Sequence, residues 1–542
     1  VNIDPITLEI YWSRLISIAD EAAAALVRTA FSTIVRESND YAAVLMDANG
    51  DSLAENTGGI PSFSCILPRT TKHFLEKFPA NTWRPGDCVI TNDPWLATGH
   101  LPDITAVTPI FHHGKLAGFA GSIAHSPDVG GSLWAADCRE LFEEGIRIPP
   151  MRLFREGVRN EALLELFLGN VRVPAQVLGD LEAQLVANQV CVRRTVEFLE
   201  DTGLEDLRVL SSAVRTRAEG AMRRAIADLP DGVYRGTVDA DGFDADVTRI
   251  VCTVTIAGDT MNIDYAGTSR QIERGINCVM NYTHAYSVYP VKCALDPLTP
   301  RNEGSYAPIT VTAPSGCILN PTHGAAVGSR QLTGHLLAGA IFRALAEIVP
   351  QKIIAECGGA PSMRALFSGS DRAGNRFSQI LFASGGMGAA PGADGLATTA
   401  FPTNAGAGSI EAFEAGGPLL VWKKEFARDS GGPGQFRGGL GQECVIENRS
   451  DHALRLSLIS DRRDHPAQGI LGGKPGAAAV LRLSDGTTPH PKSRTVLPAG
   501  ASLHMTYAGG GGYGPPSQRD ARSIEADLRD EFVSPEAAAR DY

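Results

Sequence analysis

The chain has 542 residues, of which 43% are hydrophobic and 20% charged; 49 basic and 61 acidic side chains leave a net charge of −12. That length outgrows a single hydrophobic core and predicts about two to four domains or one multi-layer unit. No apolar run approaches the roughly 20 residues that cross a bilayer, and no Lys/Arg-rich block could neutralise a row of phosphates, so neither a membrane nor nucleic acid is expected as a partner. The ten cysteines contain no C-x-x-C pair, which argues against a zinc knuckle and a secreted disulfide framework. The opening VNIDPITLEIYW lacks the basic and apolar regions of a secretory signal, and the expected compartment is the cytoplasm.

Asp4-Pro5 offers a capping side chain followed by proline at the first helical position, and apolar residues recur at helical spacing through Ile6, Ile10, Leu15 and Ile18. A long helix over 4–31 is predicted. From 41 to 128 the texture changes to short β-rich runs such as AAVLMD, CVITND and ITAVTPIF, separated by Gly-Asp, Asn-Gly and His-Gly turn signals. Residues 155–229 read as helix, with NEALLELFLGNV and LEAQLVANQVCVRRTVEFL showing apolar faces. After Pro230-Asp231-Gly232 a hairpin is predicted around Gly258-Asp259, then a helix over 332–348. Beyond Glu356 the chain is glycine-dense and is expected to be strand-poor to about 416, ending in YAGGGGYG; such glycine either lets a ligand approach the backbone or lets loops pack tightly. The predicted fold class is α/β, mixed α+β, a multi-layer, multidomain subunit with mixed sheets and helical layers. Its segments are an N-terminal helix with a β-rich region (1–150), a helical layer (151–229), a mixed α/β region (230–355), a glycine-rich β region (356–516) and a C-terminal tail (517–542) that docks on the surface.

The densest polar constellation is TNDPWLATGHLPDI followed by SIAHSPDVGG, which places Asn92, Asp93, His100, Asp103, His125 and Asp128 between short apolar strands. His100 and Asp103 have H-x-x-D spacing, and His125 and Asp128 repeat it one strand-turn-strand unit later. Imidazole nitrogen with carboxylate oxygen suits Zn, Mn, Fe or Co better than Mg or Ca. The other reading is that these are loop histidines and turn-capping aspartates satisfied by backbone. In RESNDYAAVLMDANGD, Glu37 and Asp40 stand before an apolar strand; either could be a fourth ligand, and Asp40 could instead cap a turn. His112-His113 read as exposed hairpin residues. No G-x-S-x-G elbow is present, LGGKPGA lacks the spacing of a phosphate-binding loop, and GGPGQFRGGLG does not fit G-x-G-x-x-G. If ATP is used, another polypeptide binds it.

NDPWLATGHLPDI, AHSPDVGG, GDLEAQLVAN, GINCVMNYTHAY, RDSGGPGQFRGGLG and AGGGGYG, in this order, resemble the hydantoinase B / 5-oxoprolinase family, whose relatives include the metal subunits of acetone and acetophenone carboxylases. The resemblance runs from about residue 4 to 542. It implies a hydantoinase A-type partner that binds ATP and Mg and phosphorylates a carbonyl oxygen, while this chain handles the activated substrate at one divalent metal, Zn or Mn first, then Fe or Co. Carried over residue by residue, the metal ligands fall on His100, Asp103 and His125, with Asp40 as the acidic fourth. The family more often has paired histidines before A-D-V-G-G; here the segment is His125-Ser126-Pro127-Asp128, which bears on substrate scope.

The function expected from this resemblance is an ATP-dependent hydrolase of a cyclic amide, a lactam, hydantoin or 5-oxoproline analogue, acting within an (AB)₂ heterotetramer. Phosphorylation supplies the leaving group, the metal lowers the pKa of a water, and Asp128 or Asp93 acts as general base or orients an imidazole. Two alternatives stand beside it. One is the metal-bearing subunit of an ATP-dependent ketone carboxylase, and the other is a non-catalytic scaffold in such a complex.

Overall fold

The computed structural model describes residues 3–132, 134–244, 246–359 and 363–542. Helix α1 (Pro5–Thr29) starts where the Asp4 carboxylate accepts the backbone N–H groups of Ile6 and Thr7, both at 3.1 Å, two of the donors that no helical turn can satisfy. Its inner face, Leu8, Trp12, Leu15, Ile18, Ala22 and Leu26, is buried. The short α2 (Thr33–Arg36) follows.

A seven-stranded antiparallel sheet comes next, in the order β2-β1-β5-β4-β3-β6-β7. Its strands are β1 (Tyr41–Asp47), β2 (Ser52–Glu55), β3 (Cys88–Thr91), β4 (Asp103–His112), β5 (Lys115–His125), β6 (Met151–Arg155) and β7 (Val158–Arg159). Every residue of β1 is buried, because both faces of the sheet are covered and strand side chains alternate between them. Ala43, Leu45, Ala120 and Ala124 pack in the cluster that includes α1. Ala42, Val44, Met46, Phe119 and Ile123 pack on the other side with Phe63 and Leu67 of α3 (Pro61–Lys77). Helices α4 (Glu161–Leu168), α5 (Pro174–Thr202) and α6 (Arg208–Ala227) form the expected helical layer, and Ala187, Cys191 and Phe198 of α5 close the core against α1.

The second sheet runs β11-β10-β9-β8: β8 (Gly232–Phe243), β9 (Asp246–Ala257), β10 (Thr260–Asp264) and β11 (Ile309–Thr312). The hairpin at Gly258-Asp259 joins β9 to β10, and β10 pairs in parallel with β11. The connection between β10 and β11 carries α7 (Met280–Leu295). After β11 come α8 (Gln331–Gly334) and α9 (Leu336–Leu345), so the helix predicted over 332–348 is broken beside His335. The C-terminal third has two further antiparallel sheets and the short α10 (Ile410–Ala415). One is β13-β12-β16-β18, with β12 (Met363–Ser370), β13 (Arg376–Leu381), β16 (Leu454–Ser460) and β18 (Arg494–Leu497); the other is β14-β15-β19-β17, with β14 (Leu419–Phe426), β15 (Gln442–Asn448), β17 (Val480–Leu483) and β19 (Ser502–Thr506). They share one core, in which Phe367, Leu456 and Leu458 meet Ile446, Leu481 and Leu503, the arrangement of a sandwich. Helices α11 (Ala521–Arg529) and α12 (Pro535–Asp541) dock through Arg519, which meets Asp394 at 2.7 Å and Asp527 at 2.6 Å. Among the described residues no helix is long and apolar enough to cross a membrane.

Two expectations about organisation are corrected. β6 and β7 lie past 150 yet complete the first sheet, because Cys88–Ile90 of β3 pairs with β6, so the helical layer begins only at α4. The region 356–416 holds β12 and β13, whose pairing the interspersed glycines and serines concealed. The glycines themselves pack backbone on backbone: Gly510 N–H donates to Gly439 O at 2.9 Å and Gly386 N–H to Ala508 O at 3.0 Å. A Cβ on Gly509 would collide with the Ser430 carbonyl, and one on Gly386 with the Gly439 carbonyl. Gly509→Ala is therefore expected to lower the unfolding free energy by about 2 kcal/mol or more, read from urea denaturation; an unchanged midpoint would show that this layer is not close-packed.

Candidate metal centre

Three strand ends of the first sheet meet at one edge. β4 begins at Asp103 and β5 ends at His125, and the antiparallel register pairs these two residues directly. β1 pairs with β5 on the other side, Tyr41 opposite Ala124, so Asp40 stands beside that rung and its carbonyl accepts the His125 backbone N–H at 3.1 Å. His100 arrives from the loop before β4. Asn92 fixes that loop, donating to Leu101 O at 2.8 Å and Ile146 O at 2.9 Å while accepting the Ile148 N–H at 2.6 Å.

His100, Asp103 and His125 are all buried, Asp103 completely, and one ligand atom from each lies within 4.8 Å of the others. His100 Nδ1 donates to the Gly328 carbonyl at 3.0 Å; this places the proton on Nδ1 and leaves a lone pair on Nε2. Nε2 is 2.9 Å from Asp103 Oδ1, but that contact lacks hydrogen-bond geometry and Nε2 has no hydrogen-bond partner among the described residues. The same Oδ1 meets His125 Nδ1 at 2.9 Å, and Oδ2 accepts Arg330 Nη2 at 2.8 Å. Arg330 is itself locked, donating through Nε to Thr98 O at 2.5 Å and lying 4.0 Å over the Tyr282 ring. Burial, helped by Arg330, lowers His100 to about 4 and keeps it neutral. Burial opposes the Asp103 charge, but the Arg330 guanidinium and the hydrogen bond from His125 hold this carboxyl well below its ordinary value.

These residues fit a divalent cation. A neutral imidazole lone pair facing a carboxylate oxygen at 2.9 Å repels until a positive charge lies between them, and N/O donors of this kind suit Zn, Mn, Fe or Co. Ligands about 2.0–2.1 Å from a tetrahedral ion stand about 3.3 Å apart, close to the spacing present. The cavity they line has about 30 Å³ of room for water, the scale of an ion with a water molecule. A larger cavity, about 800 Å³, is instead a groove on the outer faces of α1 and α5 whose charges are paired, as in Arg14–Asp201 and Arg194–Glu21. It holds no metal-ligating cluster among the described residues.

The remaining sequence candidates separate clearly. Asp40 lines the cavity of the trio, with Oδ2 3.9 Å from His125 Nδ1, and burial raises its carboxyl to about 6. Glu37 lines a different cavity with Thr33 and Lys424. Neither Asp93 nor Asp128, the carboxylates expected to act as a base, lines the cavity that holds all three, although Asp128 lines an adjoining one with His125 and Trp134. Asp93 caps the following turn through Trp95 N–H at 3.0 Å and lies 3.4 Å from Arg147. Asp128 is taken by Arg172, whose Nη1 is at 2.6 Å and whose backbone N–H also donates to it, and by Gly130 N–H at 3.0 Å. His113 sits in the β4–β5 turn at φ 47°, whereas His112, expected to be exposed, is buried because its Nδ1 donates to the Glu205 carbonyl. The sequence reading missed Arg330, Gln331 and Arg364, which line the cavity with Trp134, Tyr282 and Tyr286. Of these, the two tyrosines carried a signal, standing together in GINCVMNYTHAY.

A family profile described as hydantoinase B/oxoprolinase matches residues 4–516. The chain belongs to that family. It is 29% identical to the caprolactamase subunit beta of Pseudomonas jessenii over 100% of this chain and 96% of the relative. The crystal structure of the ATP-dependent caprolactamase from the same organism superposes with a TM-score of 0.93 at 27% identity, covering 100% of this chain and 96% of that one. A nucleotide-free acetone carboxylase structure shares the fold, with a TM-score of 0.86 at 21% identity over 99% of this chain and 79% of the other.

Behind the trio, Glu144 Oε1 accepts the N–H groups of Val327 and Gly328, each at 2.7 Å, and so braces the glycine whose carbonyl holds both His100 Nδ1 and Trp134 Nε1. Burial outweighs those donors and pushes the Glu144 carboxyl up to about 8. A carboxyl raised on folding binds its proton more tightly in the native state, so its contribution is full below about 4.5 and is lost as pH rises towards 8. Urea denaturation between pH 5 and 8 should show wild type losing stability more steeply than Glu144→Gln; parallel profiles would contradict the assignment.

Proposed function

We propose that this chain is the metal-bearing subunit of an ATP-dependent cyclic-amide hydrolase of the hydantoinase, 5-oxoprolinase or lactamase type. A hydantoinase A-type partner binds ATP and Mg and phosphorylates the amide oxygen, the two subunits forming an (AB)₂ assembly in the cytoplasm. One observation carries the reading: a buried imidazole lone pair and a carboxylate oxygen face each other at 2.9 Å, with no hydrogen bond between them and a second imidazole alongside. The whole-length likeness to an ATP-dependent caprolactamase, whose matching chain is named a subunit, supports the substrate class and the partner.

His100, Asp103 and His125 would hold one divalent ion, Zn or Mn first and then Fe or Co, with Asp40 adding a carboxylate from a third strand end. Such an ion, when bound, supplies Lewis acidity and lowers the pKa of water towards neutrality. The chain's own groups set the stage for that chemistry. Gly328 keeps the His100 proton on Nδ1, and Arg330 occupies Asp103 Oδ2, so the free lone pairs converge on one point. Asp40 is the cavity's other carboxylate and replaces Asp93 and Asp128 as the acidic group placed to assist. Water then adds to the carbon that bears the phosphorylated oxygen, the ring C–N bond breaks as nitrogen takes a proton, and a second water releases phosphate. Five-membered lactams resist opening, which rationalises the use of ATP.

Metal analysis of the purified chain should find about one ion per chain. His100→Ala should lose it together with ATP-dependent lactam opening by the reconstituted complex, and Asp40→Asn should weaken metal binding about 10–100-fold. Full metal content and activity in His100→Ala would overturn the proposal. So would turnover of a ketone with bicarbonate in place of a lactam, while a metal-free wild-type chain would point to a scaffold.

A further inference from the structure

Gln331 is 2% exposed and lines the trio's cavity, yet neither its Oε1 nor its Nε2 has a hydrogen-bond partner among the described residues. Leaving both ends of a buried carboxamide unpaired is costly, so the site has room for a partner that both donates and accepts. Arg364 lines the same cavity. It is equally buried, lies 4.0 Å over the Phe382 ring and donates through Nη1 to Ala383 O at 3.2 Å, but its Nε has no hydrogen-bond partner among the described residues. The rest of the lining includes Ile60, Phe63, Trp134 and Ala405, apolar surface suited to a hydrocarbon ring. A lactam needs more than the present room, so its entry moves lining side chains.

The nitrogen of a cyclic amide changes its hydrogen-bonding role during the reaction proposed above. In the lactam it is an N–H donor; in the O-phosphorylated imidate it is a lone-pair acceptor; after ring opening it is an amine. A carboxamide serves every form, since it carries a donor and an acceptor on one group. The nitrogen also decides the outcome. Water adds its oxygen to the imidate carbon and a proton to nitrogen, giving a tetrahedral adduct that carries a hydroxyl, a phosphoryl oxygen and an N–H. If the C–N bond breaks, nitrogen takes the hydroxyl proton and an acyl phosphate remains, which a second water cleaves to carboxylate and phosphate. If the C–O bond to phosphate breaks first, the lactam returns and the ATP has been consumed without product.

We infer that Gln331 binds the ring nitrogen, with Arg364 on the phosphoryl group, and so directs the adduct towards C–N cleavage. Gln331 is a positioning residue that makes turnover specific for a ring amide. This rests on the cyclic-amide reading of the site.

The test uses the complex reconstituted with its ATP-binding partner and 2-pyrrolidinone as the probe, in water enriched in oxygen-18. Wild type, Gln331→Met and Gln331→Glu are compared for ATP cleaved per ring opened, for the label in recovered lactam and for metal content; melting temperature verifies the fold of each variant. Gln331→Met should open the ring about 10–100-fold more slowly, while ATP cleavage falls less, the recovered lactam gains label and metal content stays at the wild-type level. Gln331→Glu, which keeps one acceptor of the same size, should lie on the same side. Unchanged coupling in a folded variant, with wild type active, overturns the assignment of Gln331 alone. A wild-type complex that opens no lactam overturns the reading of the site itself, and this assignment with it.

Discussion

A lone pair on His100 Nε2 and another on Asp103 Oδ1 cannot rest 2.9 Å apart in a dry interior unless a positive charge joins them, and much of the surrounding structure keeps them there. The Gly328 peptide prevents the imidazole from turning its proton inward. Glu144 holds the N–H of the same glycine from behind, and Arg330 occupies the outer oxygen of Asp103. Residues from the first sheet, the 141–144 turn and the segment entering α8 thus serve one contact, which ties the site's geometry to the packing of distant parts of the chain.

Much of the trio was legible because it follows local rules. A strand that begins at Asp103 and a hairpin partner that ends at His125 must bring those residues to the same edge, and His100 lies only three residues before the strand. The repeated H-x-x-D spacing does not repeat the geometry at its second copy. Asp128 has the right residue type and spacing, but its oxygens are held by Arg172, 44 residues away, and Asp93 is drawn to Arg147. Sequence displays a carboxylate without showing whether its hydrogen-bonding capacity is already spent. Arg330, Gln331 and Arg364 were unreadable for the converse reason: their helix- and strand-compatible surroundings carry no spacing signal, and only tertiary folding directs them into the cavity.

The same division holds for the fold. The start of α1 and the β9–β10 hairpin were predicted because a capping aspartate and a Gly-Asp turn act within a few residues. β12 and β13 were missed, and β6 was assigned to the wrong layer, because strand pairing there depends on partners far along the chain: β12 pairs with β16, and β6 with β3. Glycine density pointed to either ligand approach or tight packing. The Gly386, Gly439 and Gly509–Gly510 contacts decide for packing, since main chain meets main chain at these positions.

The most direct test of the central claim is anomalous diffraction from crystals of the chain purified without chelator, collected on both sides of the zinc and manganese absorption edges. The account predicts one anomalous peak between His100 Nε2, Asp103 Oδ1 and the His125 ring, with His100 Nδ1 still on the Gly328 carbonyl. A metal-replete crystal with no peak there, and with His100 Nε2 hydrogen-bonded to Asp103 instead, would contradict it.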